Sequence, residues 1–301
     1  MSVPGSAIAP AARTEAWVPG SCATEPRAIG GFLRTQEIEA ADAAGHPDAF
    51  ERLRDGRLQA LVVHGVYDPE ALATAIERLE RQPPPFLRTG FPEKFRAWFY
   101  GRNLNLADPA LTGYFEEAAR FNAQLDTFLA PRPGLADHLG ALFARLDGGR
   151  PFVAAPGPDA GQRYMFTTFR AHPAGGLIPA HFDNEQRLRP SFGHLRTIVE
   201  LHTLSFVLAF SRGDGGGALE VFDCRVEPED ARMLSDDRAV AKPDVRTLAS
   251  ASFRLPPGAL ILLDSGRYLH RVTPVEGGRT RWTACSFFAL ARGRAANYSW
   301  G

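Results

Sequence analysis

Apolar positions along the chain fall into two textures. From about residue 30 to about residue 150 they recur with the period of a helix, and beyond about residue 160 they alternate in short runs. A short apolar run at 58–64 predicts a strand. A helix follows, opened by Asp68-Pro69-Glu70, with Asp68 placed to cap it, Pro69 suited to its first turn, and Leu72, Ile76 and Leu79 on one face. Two more helices are predicted over 112–129 and 135–146, each bounded by Pro or Gly. Residues 1–30, rich in Ala, Pro, Gly and Ser, keep neither period and read as a loose N-terminal arm. The stretch 86–100 is dense in aromatics (Phe91, Phe95, Trp98, Phe99, Tyr100), which serve either as core or as the lining of a substrate pocket.

In the second half, strands are predicted at 164–170, 204–210, 218–222, 251–255, 259–263 and 281–290, punctuated by Gly and Pro as in an antiparallel barrel or jelly roll. The charged, irregular stretch 227–247 reads as an insertion between strands and a candidate lid. The expected organisation is one domain over 31–301. Residues 31–155 form mainly helical support for a β core at 156–292, so the fold class is mainly β with flanking helices.

Composition narrows the function classes. The 45% hydrophobic and 23% charged fractions are those of an ordinary globular protein. With 34 basic against 34 acidic residues, the balance argues against nucleic acid or an acidic membrane surface as the main partner. Cys22, Cys224 and Cys285 are odd in number and far apart, so neither a disulfide framework nor a thiolate zinc site is implied. The N-terminus has no basic region followed by a continuous apolar core, and no stretch is long and apolar enough to span a bilayer. A cytoplasmic location is the expectation.

The candidate chemistry begins at His181-Phe182-Asp183. On an extended segment, residues two apart project to one face, so an imidazole and a carboxylate can reach one ion. A Gly-Gly turn in His172-Pro-Ala-Gly-Gly-Leu-Ile-Pro-Ala-His181 delivers the pair to a strand end. Downstream, an apolar strand passes through Asp264-Ser265-Gly266 into His270. Two imidazoles and one carboxylate on one face of iron(II) leave positions open for a bidentate 2-oxo acid and dioxygen. In Arg279-Thr-Arg281-Trp-Thr283-Ala-Cys285, alternation puts Arg281, Thr283 and Cys285 on one face. Arg281 can hold a carboxylate with two parallel hydrogen bonds and Thr283 can add a third; Arg279 has the same parity and is the alternative.

These segments together, HFD after a Gly-Gly turn, then GALILLDSGRYLHRVTPVEGG and RWTACSFF, resemble the Fe(II)/2-oxoglutarate-dependent dioxygenase superfamily in its prolyl-hydroxylase-like branch. The resemblance covers roughly 160–290 and extends to Gly216-Gly217-Ala-Leu-Glu-Val. It implies a double-stranded β-helix (jelly roll, cupin-like) core, Fe(II) on His181, Asp183 and His270, and 2-oxoglutarate and O2 as co-substrates, with Arg281 and Thr283, or Arg279, on the distal carboxylate. Many relatives place a Tyr where Ile178 stands; Tyr164 or Thr167 is the expected substitute on the preceding strand. Related iron halogenases carry a small residue in place of the ligating carboxylate, so Asp183 implies hydroxylation, with desaturation or cyclisation as other outcomes of the same hydrogen abstraction.

Arg170, Asn184, Glu185 and His202 lie near the ligand segments. Each of the first three reads equally as a substrate contact or as a solvated residue; His202 and His172 read first as hydrogen-bonded structural histidines. His64, His138 and His194 fall outside any coherent set. The function expected is hydroxylation of an unactivated C–H bond in a small molecule, an amino acid or a metabolite derived from one, with release of succinate and CO2. The alternatives are a peptide or protein side-chain hydroxylase, a metal-free jelly-roll binding protein, and a zinc hydrolase, which leaves Arg281 and Thr283 without a role.

Overall fold

Strict alternation along eight strands decides which side chains face the interior. The strands are β1 (Thr168–His172), β2 (Ile178–His181), β3 (Leu204–Ala209), β4 (Leu219–Arg225), β5 (Ser250–Phe253), β6 (Leu260–Leu263), β7 (Tyr268–Val272) and β8 (Arg281–Leu290). One sheet has the order β6-β3-β8-β1 and the other β5-β4-β7-β2, and every pairing within these two sets is antiparallel. Each step along the chain except β4 to β5 changes sheet, which is the double-stranded β-helix. The computed structural model describes residues 14–18, 25–81, 88–90, 93–129, 134–184, 189–228 and 243–301. The insertion expected over 227–247 therefore falls mostly outside the described residues.

The two faces of the first sheet carry different cores. Leu204, Phe206 and Leu208 of β3, Leu260 and Leu262 of β6, and Trp282 and Ala284 of β8 turn outward to the helices. Ala209, Ile261 and Leu263 turn inward to meet Leu219, Val221 and Phe253 of the second sheet. Helix Leu135–Leu146 buries Leu135, Leu139, Leu142, Phe143 and Leu146, and the Phe143 ring packs tilted against Phe206 at 5.3 Å and edge-on against Phe152 at 4.6 Å. Helix Pro69–Arg81 is capped as expected, with the Glu70 amide donating to Asp68 Oδ1 at 2.9 Å. The third helix, Tyr114–Phe128, starts two residues inside its predicted span. Among the described residues no helix is long and apolar enough to cross a membrane.

Two expectations are corrected. The arm read as loose contributes Thr14–Ala16, parallel to β5, and Arg27–Ile29, antiparallel to Leu33–Glu39. These three-residue strands are held by their partners' backbones and not by a pattern of their own. Trp17 adds an anchor, its indole N–H donating 2.9 Å to Glu37 Oε1. The strand expected at 164–170 begins only at Thr168. Ahead of it, the Tyr164 amide donates to Ala155 and the Met165 carbonyl accepts from Gly301, so this backbone is committed elsewhere.

Candidate metal centre

β2 and β7 run antiparallel with His181 opposite His270. Directly opposed residues share a face, and the two imidazoles meet with ring centroids 4.3 Å apart. Asp183 follows β2 after one residue, on a turn tied down by its own amide, which donates 3.0 Å to the Ser265 carbonyl. Ser265 belongs to the turn from β6 into β7, so one short loop sets both the carboxylate and the strand that carries His270. Gly266 lets this loop approach its neighbour: a Cβ there would collide with the Thr203 carbonyl and lie 2.6 Å from Asn184 Oδ1.

The donor atoms converge. Asp183 Oδ1 lies 3.3 Å from His181 Nε2, Oδ2 lies 3.7 Å from His270 Nε2, and all three donors sit within 4.8 Å of one another. With metal–ligand bonds of about 2.1 Å, donors at right angles on one ion sit about 3 Å apart, so little adjustment is needed. The Nδ1 atom of each ring is already engaged. His181 Nδ1 is 2.8 Å from the Pro179 carbonyl and His270 Nδ1 is 3.0 Å from that of Tyr268. A carbonyl only accepts, so each Nδ1 carries a proton and each Nε2 is the nitrogen turned toward Asp183. Burial, joined by the His181 ring, pushes His270 down to about 4, so it is neutral at neutral pH. Burial raises the Asp183 carboxyl, but His270 and His181 outweigh it and hold it below its ordinary value. Two imidazoles and one carboxylate form a donor set suited to iron(II). Asp183 and His270 are buried while His181 is partly open, which leaves one side of the centre approachable.

β8 and β1 form the wall beside this centre. Their register sets Arg281 opposite His172 and Thr283 opposite Arg170, a block of four inward side chains. Both arginines lack a carboxylate within ion-pairing distance among the described residues. The Arg170 Nε and Nη2 atoms are buried with no hydrogen-bond partner, and its guanidinium lies over Phe99 at 5.1 Å and Phe287 at 5.4 Å. Burial lowers Arg281 to about 10, which still leaves it charged. Gly217, from the Gly-Gly pair before β4, gives the Arg281 stem its room, since a Cβ there would lie 2.9 Å from Cδ.

Other expected site residues are placed differently. Arg279 is exposed, precedes β8, and faces Asp214 with 3.7 Å between Nε and Oδ1, so Arg281 is the interior cation of the pair. Tyr164 is fully buried among Tyr114 and Phe115, with its hydroxyl 3.2 Å from His194 Nδ1. Thr167 falls on the opposite parity to Thr168, Arg170 and His172 and donates its hydroxyl 2.9 Å to the Cys285 carbonyl. Neither reaches the wall, so neither replaces the Tyr that Ile178 displaces. His202 turns away from the pocket, its Nε2 2.6 Å from Asp264 Oδ1. Asn184 points its Oδ1 to the Thr203 amide at 3.3 Å, so it supports the loop and does not line the centre. Glu185 lies outside the described residues. His172 is the functional candidate that its sequence reading missed: it is 1% exposed, yet neither ring nitrogen has a partner.

Asp264 ties the loop to the helical layer. Fully buried, it accepts from Arg267 Nε at 2.7 Å as well as contacting His202, and Arg267 Nη2 donates 3.0 Å to the Leu53 carbonyl. Asp264→Ala leaves Arg267 buried without its counter-charge. A loss of about 3–5 kcal/mol is expected, read as a fall in melting temperature on the order of 10 °C. Weakened iron(II) binding should accompany it, because the same turn carries Ser265.

Residues 32–301 match the model of the family described as carrier-protein-independent halogenase WelO5. The chain belongs to this family. With it the chain joins the iron(II)/2-oxoglutarate oxygenase superfamily. No curated protein matches this WelO5-family chain in sequence. Among solved structures it resembles an N-substituted L-amino acid dioxygenase from Burkholderia ambifaria AMMD, with 12% identity and a TM-score of 0.51 over 85% of this chain and 91% of that one. It is also similar to the non-heme α-ketoglutarate-dependent epimerase SnoN from nogalamycin biosynthesis (15% identity, TM-score 0.46, 82% and 86% covered). A Pseudomonas putida prolyl-4-hydroxylase matches at 15% identity and a TM-score of 0.40, over 82% of this chain and 98% of that one.

Proposed function

We propose that this enzyme hydroxylates a small, carboxylate-bearing metabolite, an amino acid or a derivative of one, with Fe(II) held by His181, Asp183 and His270 and 2-oxoglutarate anchored by Arg281. The observation that carries this reading is the convergence of three metal-type donors beside buried Arg281 and half-buried Arg170, neither with a carboxylate partner among the described residues. When bound, iron(II), 2-oxoglutarate and O2 supply the oxidising power to cleave an unactivated C–H bond, with succinate and CO2 released.

The side chains divide the remaining work. The rings of His181 and His270, fixed by their backbone carbonyls, hold the ion without reorientation. Arg281, at the start of β8, orients the co-substrate by its distal carboxylate. Arg170 is the second cation. Asp183 and Arg281 offset one another, and a divalent ion offsets the dianionic co-substrate, so among the described residues one positive charge, that of Arg170, is left over in the pocket. A buried charge is costly unless paired, and an anionic substrate group supplies the pair. The aromatic faces of Phe99 and Phe287 hold the guanidinium in place until then.

Asp183 bears on the outcome of the reaction. It fills the position where halogenases of this chemistry carry a small residue, which supports oxygen transfer over halide transfer even though the family is named for a halogenase. The test is a screen of free and N-acylated amino acids for substrate-coupled succinate release in chloride buffer. A product heavier by one oxygen is expected; a chlorinated product would overturn this reading of Asp183.

A further inference from the structure

We infer that His172 binds the distal carboxylate of the co-substrate together with Arg281. The inference rests on the proposal that 2-oxoglutarate is the co-substrate, and it assigns a residue outside the metal-ligand set.

His172 ends β1 directly opposite Arg281 on β8, so the two side chains share the inner face of one antiparallel pair. The imidazole is sealed from solvent, yet Nδ1 and Nε2 both lack a hydrogen-bond partner. A buried polar group left unmatched is destabilising, and a structural histidine in a core ordinarily satisfies at least one nitrogen. His202, His181 and His270 each do so in this chain. The unmatched ring therefore lies next to an unmatched guanidinium at the same depth of the pocket. Burial and the neighbouring Arg281 and Arg170 keep the ring neutral, so it can donate through one nitrogen without adding charge. A carboxylate arriving between them accepts from the Arg281 fork and has lone pairs remaining for the imidazole N–H. Thr283, one pair further along the same wall, stands beside Arg170 and not beside His172, so the two ends of the block have separate tasks.

The experiment is an anaerobic titration of the Fe(II)-loaded protein with 2-oxoglutarate, followed by its visible charge-transfer absorption, for wild type, His172→Leu and His172→Gln. A parallel titration uses 2-oxobutyrate, which keeps the chelating end and lacks the distal carboxylate. His172→Leu is expected to weaken 2-oxoglutarate about tenfold or more while leaving the affinity for 2-oxobutyrate unchanged, and His172→Gln, which keeps a donor, to recover part of the loss. The melting temperature of His172→Leu should hold or rise, because an unmatched polar group is replaced by an apolar one. A structural histidine gives the opposite signature, with lower melting and unaltered 2-oxoglutarate affinity, and that result overturns the inference. Equal weakening of both ligands overturns it too, by placing the effect at the metal end. Failure of the wild type to bind 2-oxoglutarate at all refutes the co-substrate proposal itself and is recognisable as such.

Discussion

Asp183→Ala or His181→Ala is expected to reduce substrate-dependent succinate release to background. Loss of the groups that merely support a metal ligand commonly lowers metal affinity or activity by about 10–100-fold, so removal of a ligand should exceed about 100-fold. The two substitutions reach this result by different routes. His181 is the partly open donor, and its loss removes one neutral nitrogen from the centre. Among the described residues Asp183 is the sole carboxylate within reach of both imidazoles, and its loss removes the anion that offsets the ion's charge. Iron(II) titrations of the apo-protein, set beside succinate assays, check both. Turnover of either variant near the wild-type rate would contradict the assignment.

The second large effect belongs to Arg281. Its guanidinium is buried and charged, with no carboxylate partner among the described residues, so a bound carboxylate becomes its counter-ion. Truncating one side of a buried, hydrogen-bonded charge pair costs about 2–5 kcal/mol. Arg281→Leu should therefore raise the dissociation constant of 2-oxoglutarate about 30-fold or more, with iron(II) affinity little changed. Arg279→Ala is the matched control. Its side chain is solvated beside Asp214, and exposed pairs of this kind contribute about 0–1 kcal/mol, so co-substrate binding should stay within about twofold. The reversed pattern would move the anchor to Arg279.

What the sequence made legible follows from the periodicity of strands. The HxD spacing and the run from Arg281 to Cys285 could be assigned to faces because a strand alternates strictly, and β8 has the expected bounds. Parity could not separate Arg279 from Arg281. Only the start of β8 after Gly277-Gly278 does so, by leaving Arg279 on the turn. The same limit explains Tyr164 and Thr167. A strand read four residues too early made them candidates, while the true strand carries Thr168, Arg170 and His172 inward. His172, two residues past the end of that predicted strand, reads in sequence as a hydrogen-bonded structural histidine, although it faces Arg281. His202 shows a different limit: its partner Asp264 lies 62 residues away, and nothing local in sequence announces that pair. The short strands Thr14–Ala16 and Arg27–Ile29 were invisible for a related reason, since their order comes from the sheet edges that they join.

Membership in a family named for a halogenase and an aspartate at the ligating position point to one question of chemistry, and both depend on the same ion being held. The most direct measurement is the visible absorption of the apo-protein given iron(II) and 2-oxoglutarate without oxygen. A weak metal-to-ligand charge-transfer band is predicted for the wild type, absent when either iron or the 2-oxo acid is omitted and absent from His270→Ala. No band in the folded wild-type protein, or an unchanged band in His270→Ala, would contradict a centre built on His181, Asp183 and His270.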